Sequence, residues 1–356
     1  MNKELLELYS DYLISSFSYT TATGLSKMLK GSISHDKITR FLSGKEYNSK
    51  DLWLLVKPII RKIESQEAVL CIDDSIEEKP YTDENEIICW HYDHCKARNI
   101  KGINFMTTLY YNEGVSIPVT YQIISKTEHF IDAKTGKPKR KSPKTKNEYY
   151  RQMLNTCKQN NLAFAYVLND VWFSSAENMM FVKNRIKKDF IMPLKSNRKV
   201  ALTLADKKKG KYQRVSSVDI KANAVMEIYI KGVEFPLILA KQVFKNEDSS
   251  SGILYLVSND LSLDYLSITT IYQKRWKVEE YHKSLKQNAS LEKSPTKTVI
   301  TQSNHFFASL FAFVKLEMLK NASCINHYAL KTKIYIIALQ KAFRELQNLK
   351  LLYQIS

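Results

Sequence analysis

Four side chains between residues 272 and 286, Tyr272, Arg275, Glu279 and Lys286, have the types and spacing to hold a phosphodiester beside a metal ion. In a helix running from Ile271 to Lys286, at about 100° per residue, all four fall on one stripe, whereas Glu280 turns away from it. A face that carries a hydroxyl, a guanidinium, a carboxylate and an ammonium is ill suited to apolar packing. By spacing alone, a solvated face with an i,i+4 pair of Arg275 and Glu279 competes with this reading.

Two further carboxylates stand where strands should end. The apolar run Ala68 to Ile72 suits a strand buried on both faces and stops in Asp73-Asp74. The run Ala163 to Leu168 stops in Asn169-Asp170. Asp is common at strand ends as a turn former, so neither is specific alone. Together they set two carboxylates at the carboxyl edge of one sheet, where open α/β sheets gather their ligands.

The elements that position these groups follow from the pattern around them. The first 62 residues read as helices, with Leu25, Met28 and Leu29 on one face, a break at Lys30-Gly31-Ser32, and a second short helix capped by Ser34 with Ile38, Phe41 and Leu42 inward. This suggests a helix-turn-helix whose outer residues Lys37, Thr39 and Arg40 could meet DNA; a plain helical packing unit reads equally well. Strands are expected at Ile103 to Tyr111 and Val115 to Ile123 around the turn Asn112-Glu113-Gly114, then a helix near Tyr149 to Gln159, a helix capped by Ser175, and a strand at Phe190 to Leu194. Residues 196–260 are β-rich and interrupted by Lys-rich turns, and helix dominates from Leu261 on. The expected division is 1–62 helical DNA-binding region, 63–195 first part of an α/β catalytic domain, 196–260 β-rich insertion, and 261–356 helical completion carrying Glu279.

The chain has 54 Lys and Arg against 36 Asp and Glu, a net charge of +18, which favours a polyanionic partner. It carries no G-x-G-x-x-G, Walker A or G-x-S-x-G motif, so nucleotide cradles and hydrolase elbows recede. Five scattered Cys without a C-x-x-C pair point to a reducing compartment, and no run is apolar enough for a signal or membrane span. The basic run Lys134 to Lys146, with Lys139, Arg140 and Lys141 at its centre, reads as a solvated loop or a DNA backbone contact, and Lys207-Lys208-Lys209-Gly210-Lys211 has the same two readings. Cys89, His91, His94 and Cys95 have metal-ligand types without an established zinc spacing. Trp276 is expected in the core, and His129, His282 and His305 show no partner in sequence.

The Y-x2-R-x3-E-x6-K spacing of Tyr272, Arg275, Glu279 and Lys286 resembles the signature of the YREK branch, insertion sequence 4-like, of the bacterial insertion-sequence DDE transposases. Leu70-Cys71-Ile72-Asp73-Asp74-Ser75 is similar to the strand bearing that family's first catalytic Asp, and Val167-Leu168-Asn169-Asp170 to the strand bearing its second. The resemblance extends over nearly the whole chain. It implies a ribonuclease-H-like mixed sheet with a β-rich insertion and an all-α DNA-binding amino terminus. Asp73 and Asp74 face opposite sides of a strand, so only one reaches the metal. Asp74 is the expected one, since it directly precedes Ser75.

The resemblance further implies that Asp74, Asp170 and Glu279 bind Mg²⁺, with Mn²⁺ able to substitute and two ions per active site about 3.5–4 Å apart. Water would free a 3′ end and that hydroxyl would attack target DNA. Arg275 and Lys286 would neutralise phosphate oxygens while Tyr272 donates to the DNA backbone, with Lys37, Arg40, Lys139, Arg140 and Lys141 as further DNA contacts. The implied partners are double-stranded DNA, as terminal inverted repeats and target, and further copies of the chain in a dimer or multimer, in the bacterial cytoplasm at the nucleoid and away from membranes. The alternatives are an inactive DNA-binding protein acting as an element repressor, or a metal-dependent nuclease on the same fold.

Overall fold

The computed structural model describes residues 2–93, 97–133, 135–221, 223–245 and 251–354. Four helices come first: α1 (Lys3–Ser15), α2 (Ala22–Met28), α3 (His35–Ser43) and α4 (Ser49–Ile63). Strands β1 (Val69–Glu78), β2 (Ile88–Asp93), β3 (Arg98–Asn112) and β4 (Val115–Ile123) follow, then a hairpin of β5 (Glu128–Ile131) and β6 (Pro138–Lys141). Next come α5 (Lys146–Gln159), β7 (Tyr166–Asn169), α6 (Ala176–Phe181) and β8 (Asp189–Leu194). The β-rich stretch holds β9 (Lys199–Ala201), α7 (Leu204–Lys208), β10 (Gln213–Arg214), β11 (Val225–Ile230), β12 (Leu237–Lys245) and β13 (Ser251–Ser258). Helices α8 (Tyr265–Gln273), α9 (Trp276–Gln287), α10 (Val299–Ser323) and α11 (His327–Leu352) complete the chain.

The chain forms two compact units: residues 1–55, 76–103 and 281–356 make the first, and 56–75 and 104–280 the second. In the first, α10 is buried along most of its length against α1 and α3. Two of its buried polar residues bond across the unit: His305 Nδ1 meets the Tyr9 hydroxyl at 3.0 Å, and Asn304 donates to the Leu42 and Lys45 carbonyls. Tyr47 stacks on Phe307 with ring centroids 4.8 Å apart. Helix α3 has the expected cap, Ser34, while α2 is capped by Thr21, and α3 buries Ile38, Phe41 and Leu42 while Lys37, Thr39 and Arg40 stay exposed. Met28 departs from expectation. It is 53% exposed, because the chain leaves α2 at once through Lys30 and Gly31, both at positive φ, and carries Met28 past the core. In the same unit β2 pairs antiparallel with Arg98–Ile103 of β3. A side chain at Gly102 would collide with the carbonyl oxygen of Glu77 in β1, so the close approach of β1 and β3 there requires glycine.

The second unit is built on one mixed sheet with strand order β10-β9-β11-β12-β13-β8-β7-β1-β3, and β4 paired to the far half of β3. Strand β7 is central and runs parallel to β1 on one side and β8 on the other. Val69 to Ile72, Val167, Leu168 and Phe190 to Met192 are all fully buried, which explains their unbroken apolar runs. Each large apolar side chain so buried contributes about 1.5–3 kcal/mol. The β-rich stretch extends this sheet, since β13 pairs antiparallel with β8 and β12 with β13. A mixed α/β architecture with one large mixed sheet fits a ribonuclease-H-like fold.

Three expectations change here. Strand β1 does not stop at Asp73-Asp74 but runs on to Glu78. The basic run after Lys134 is not an open loop: Pro138–Lys141 pairs with Glu128–Ile131, and Lys146 opens α5, whose Thr145 and Glu148 form a capping box. The helix expected over Ile271 to Lys286 is broken into α8 and α9, with tighter i→i+3 bonds from Lys274 to Ile271 and Arg275 to Tyr272 at the join.

Candidate active site

Strand register sets Asp73 and Asp170 each one residue past a shared pair. Ile72 pairs with Asn169 across the parallel β1 and β7, so the next residue of each chain segment is an aspartate at the same level of the sheet. The strand end at Asp170 is fixed by Asn169, which is fully buried. The Asn169 side chain accepts from the Tyr150 hydroxyl at 2.9 Å and donates to the Asp170 carbonyl at 2.8 Å, while its own carbonyl accepts from the Tyr272 hydroxyl at 3.3 Å. Tyr272 is therefore buried and committed to the protein backbone, with its hydroxyl pKa pushed up by burial.

Alternation along β1 sends its two acids to opposite sides. Asp73 is buried, and its Oδ2 lies 3.4 Å from Arg275 Nη1, which in turn lies 3.2 Å from Glu279 Oε1. Carboxylate oxygens of Asp73 and Glu279 approach within 4.8 Å. Asp74 instead accepts from Asn104 Nδ2 at 3.1 Å and from Lys146 Nζ at 2.6 Å. The acid beside Glu279 is thus Asp73, whereas the spacing to Ser75 had pointed to Asp74.

Burial pushes the Asp73 carboxyl up to about 8, and the charges of Asp74 and Glu279 add to it against the opposing pull of Arg275. The Arg275 guanidinium is held above its ordinary value: burial acts to lower it, but Tyr272, Asp73 and Glu279 outweigh that. One guanidinium between two carboxylates leaves the group short of positive charge.

Asp170 lines a cavity of about 560 Å³ with Tyr272, Arg275, Lys195, Ser196 and Asn197. Next to it Trp172 is 53% exposed and lies under the Lys195 ammonium, 4.2 Å from the ring centroid. Lys286 sits on α9 two turns beyond Glu279. Within the first unit its Nζ donates to the Ile76 carbonyl at 2.6 Å, at the edge of a cavity of about 690 Å³ that it shares with Tyr19, Glu77, Glu292 and Lys293.

The remaining candidates stand apart. Lys37 and Arg40 are exposed on α3. On β6, Lys139 pairs with Asp132 at 2.7 Å and Lys141 with Glu128 at 3.3 Å, and Arg140 is half-buried opposite His129. The Lys207-Lys208-Lys209 cluster lies on and just after α7. Of the Cys/His group, His94 and Cys95 lie outside the described residues, while Cys89 is buried with its thiol donating to the Asn85 carbonyl at 3.0 Å. Trp276 is 62% exposed rather than core. Sequence reasoning missed Asn169, Asn104 and Lys146 as supports. Only the Asn169-Asp170 dipeptide offered a signal, as the end of a strand bearing an acid, and it said nothing of the Asn169 side chain.

A family model described as DDE superfamily endonuclease matches residues 2–217, and one described as Transposase DDE domain matches residues 125–314. No curated protein matches the chain. Each model covers more than half of the 356 residues and they overlap across β7, the strand that leads into Asp170. The chain belongs to the DDE superfamily of transposases and endonucleases.

Proposed function

We propose that the chain is a DNA transposase of the YREK, insertion sequence 4-like branch, cleaving and joining strands at element ends, with Asp73, Asp170 and Glu279 as its carboxylates. Family membership implies a divalent metal and a DNA substrate. The observation that carries the residue assignment is the in-register neighbouring of Asp73 and Asp170 together with the Asp73–Arg275–Glu279 bridge. Asp73 takes the role that the sequence had given to Asp74.

The pair of Asp73 and Glu279 fits a hard divalent cation, because their carboxylate oxygens lie within 4.8 Å of each other and Asp73 is pushed up to about 8 by burial and by its acidic neighbours. Asp73, Asp170 and Glu279 would hold Mg²⁺, two ions per site and replaceable by Mn²⁺, which when bound would supply Lewis-acid polarisation of the phosphodiester and a more nucleophilic water. The chain's own groups do the rest. Arg275 presents a planar fork to a phosphate and offsets the carboxylates before DNA arrives. Tyr272 acts on Asp170 through the Asn169 carbonyl, a positioning role, in place of a DNA contact. Lys286 offers a point charge to a neighbouring phosphate. Water attacks the phosphodiester at the element end and breaks its P–O3′ bond, leaving a 3′ hydroxyl and a 5′ phosphate; that hydroxyl then attacks a target phosphodiester and displaces the target's 3′ oxygen.

In the same reading, residues 1–62 are the DNA-binding region, with Lys37 and Arg40 of α3 toward the duplex and Lys139, Arg140 and Lys141 gripping backbone. Residues 196–260 are an insertion in the catalytic domain, 261–356 complete it, and the chain works as a multimer at the bacterial nucleoid. Among the described residues no helix is long and apolar enough to cross a membrane.

The test is a plasmid carrying the terminal inverted repeats that flank the gene, incubated with protein and Mg²⁺. Nicking at the repeat ends followed by joined products on a circular target supports the reading. Cleavage without joining identifies a nuclease, and binding without either identifies a repressor.

A further inference from the structure

Strands β1, β7 and β8 run parallel, so their first residues Val69, Tyr166 and Asp189 share the sheet edge opposite Asp73 and Asp170. From Tyr166 to Asp170 the strand rises roughly 13 Å. Three segments lead into this amino edge: the end of α4 with its link to β1, the end of α5, and the turn before β8. Side chains tie them together. Arg61 donates to the Asn160 and Asn161 carbonyls at 2.7 and 3.1 Å, Lys158 to the Arg185 carbonyl, and Lys188 to Gln66 Oε1 at 3.4 Å.

These segments are basic beyond what their own acids can offset. Residues 57–67, 158–161 and 182–189 hold eight Lys and Arg against three acids. Two of the acids are engaged locally, Glu64 by Arg61 at 2.7 Å and Asp189 by Lys183 at 3.0 Å. Lys57, Lys62, Arg185 and Lys187 are exposed and form no ion pair among the described residues. The turn before β8 is also built in an uncommon way. After α6 the helix widens into a π turn over Val182–Ile186, a form that recurs at functional sites, and Lys187 ends it at φ 61° and ψ 46°. Such a left-handed residue at a helix end is by default Gly or Asn. A Lys there accepts backbone strain and sets an ammonium close in sequence to Arg185 and Lys188.

The remainder of the surface separates two kinds of partner. Gln152, Asn155, Gln159 and Asn161 are exposed, and among the described residues of these segments no large apolar side chain is. A protein partner needs aromatic or aliphatic anchors at the centre of its interface. Lys, Arg, Asn and Gln without such anchors are the side chains that meet DNA phosphates.

We propose that this amino edge is a second DNA-binding surface, which holds a duplex by its phosphates and without regard to sequence, at the opposite end of the sheet from the carboxylates. It rests on the reading of the chain as a protein that acts on DNA, and not on which acids are catalytic. A duplex presents one negative charge per about 1.7 Å of its axis, so cations on three adjoining segments engage several phosphates together.

The test is binding of the full chain in EDTA to a random-sequence duplex of about 40 base pairs, read by fluorescence anisotropy between about 50 and 200 mM salt. Lys62→Ala, Arg185→Ala and Lys187→Asn together should lower the slope of log affinity against log salt by about 2–3, at ~0.9 per phosphate contact, and weaken binding at least ~10-fold at the lowest salt. Asn suits the left-handed backbone at 187, so the thermal melt should not fall. Lys62→Arg, Arg185→Lys and Lys187→Arg together should keep the parental slope, since a phosphate contact needs the charge. A charge-removing variant with the parental slope, or a charge-keeping one that loses it, overturns the proposal and leaves the action on DNA standing. A parent chain that binds no duplex overturns both.

Discussion

Replacing Asp73 by Asn should make the metal-free protein more stable and at the same time remove its activity. The folded-state carboxyl sits at about 8 against an ordinary 3.8, a gap of about 4 pK units, so between those values the native state holds a proton that the unfolded chain has released. Stability of the parent therefore falls as pH rises through that window and levels off above about 8. At 1.36 kcal/mol per unit the ceiling is ~6 kcal/mol; with the charge on Arg275's partner lost in the variant, a gain on the order of 2–4 kcal/mol at pH 8.5 is expected. For domains of this class that is a rise in Tm of at least about 4 °C. Asp74→Asn should behave oppositely. It gives up a partly exposed ion pair with Lys146, costs ~1 kcal/mol or less, and leaves cleavage within several-fold of the parent. The assay is a thermal melt in EDTA at pH 4 and pH 8.5, paired with Mg²⁺-dependent nicking of repeat-end DNA. At pH 4 the Asp73→Asn gain should vanish. An inactive Asp74 variant beside an active, unstabilised Asp73 variant would refute the argument.

Asp170→Asn and Glu279→Gln should each abolish Mg²⁺-dependent cleavage while leaving affinity for repeat-end DNA within about threefold, read by gel shift in EDTA. Alanine at Lys139, Arg140 and Lys141 together should lower the slope of log affinity against log salt by up to ~3, at ~0.9 per phosphate contact, with no change in sequence preference; an unchanged slope would remove the β5–β6 hairpin from the DNA contact. Burial pulls the His305 imidazole down to about 3, so the native state resists its protonation and stability drops as pH falls from about 6.5 toward 3. His305→Gln should flatten that acid limb in pH-dependent melts, whatever its effect near neutrality.

The parts of the structure legible in sequence were those set by local chemistry. Ser34 and Ser175 cap the helices they precede, and Ile38, Phe41 and Leu42 face inward because their spacing leaves no other choice. Continuous apolar runs located β1, β7 and β8, and the Asp at the end of β7 was visible with them. What sequence could not supply was set by pairing. β1 continues through Asp73 and Asp74 because polar residues are tolerated where a neighbouring strand lines up, and strand β2 drew no local signal at all. The break between α8 and α9 falls at Lys274 and Arg275, with neither Gly nor Pro to announce it. The choice between Asp73 and Asp74 is likewise a matter of which face of β1 meets Arg275. No spacing to Ser75 encodes that.

Asn169 has a practical consequence for anyone mapping this site by mutation. An uncharged, fully buried amide holds the Asp170 carbonyl, receives Tyr150 and, through its backbone, receives Tyr272. A random screen for inactive variants will therefore return Asn169, Tyr150 and Tyr272 beside the acids, although none of the three need touch DNA or metal. The two classes separate by melting behaviour: loss of a buried carboxylate such as Asp73 raises the metal-free melting point, whereas loss of the amide that aims Asp170 lowers it.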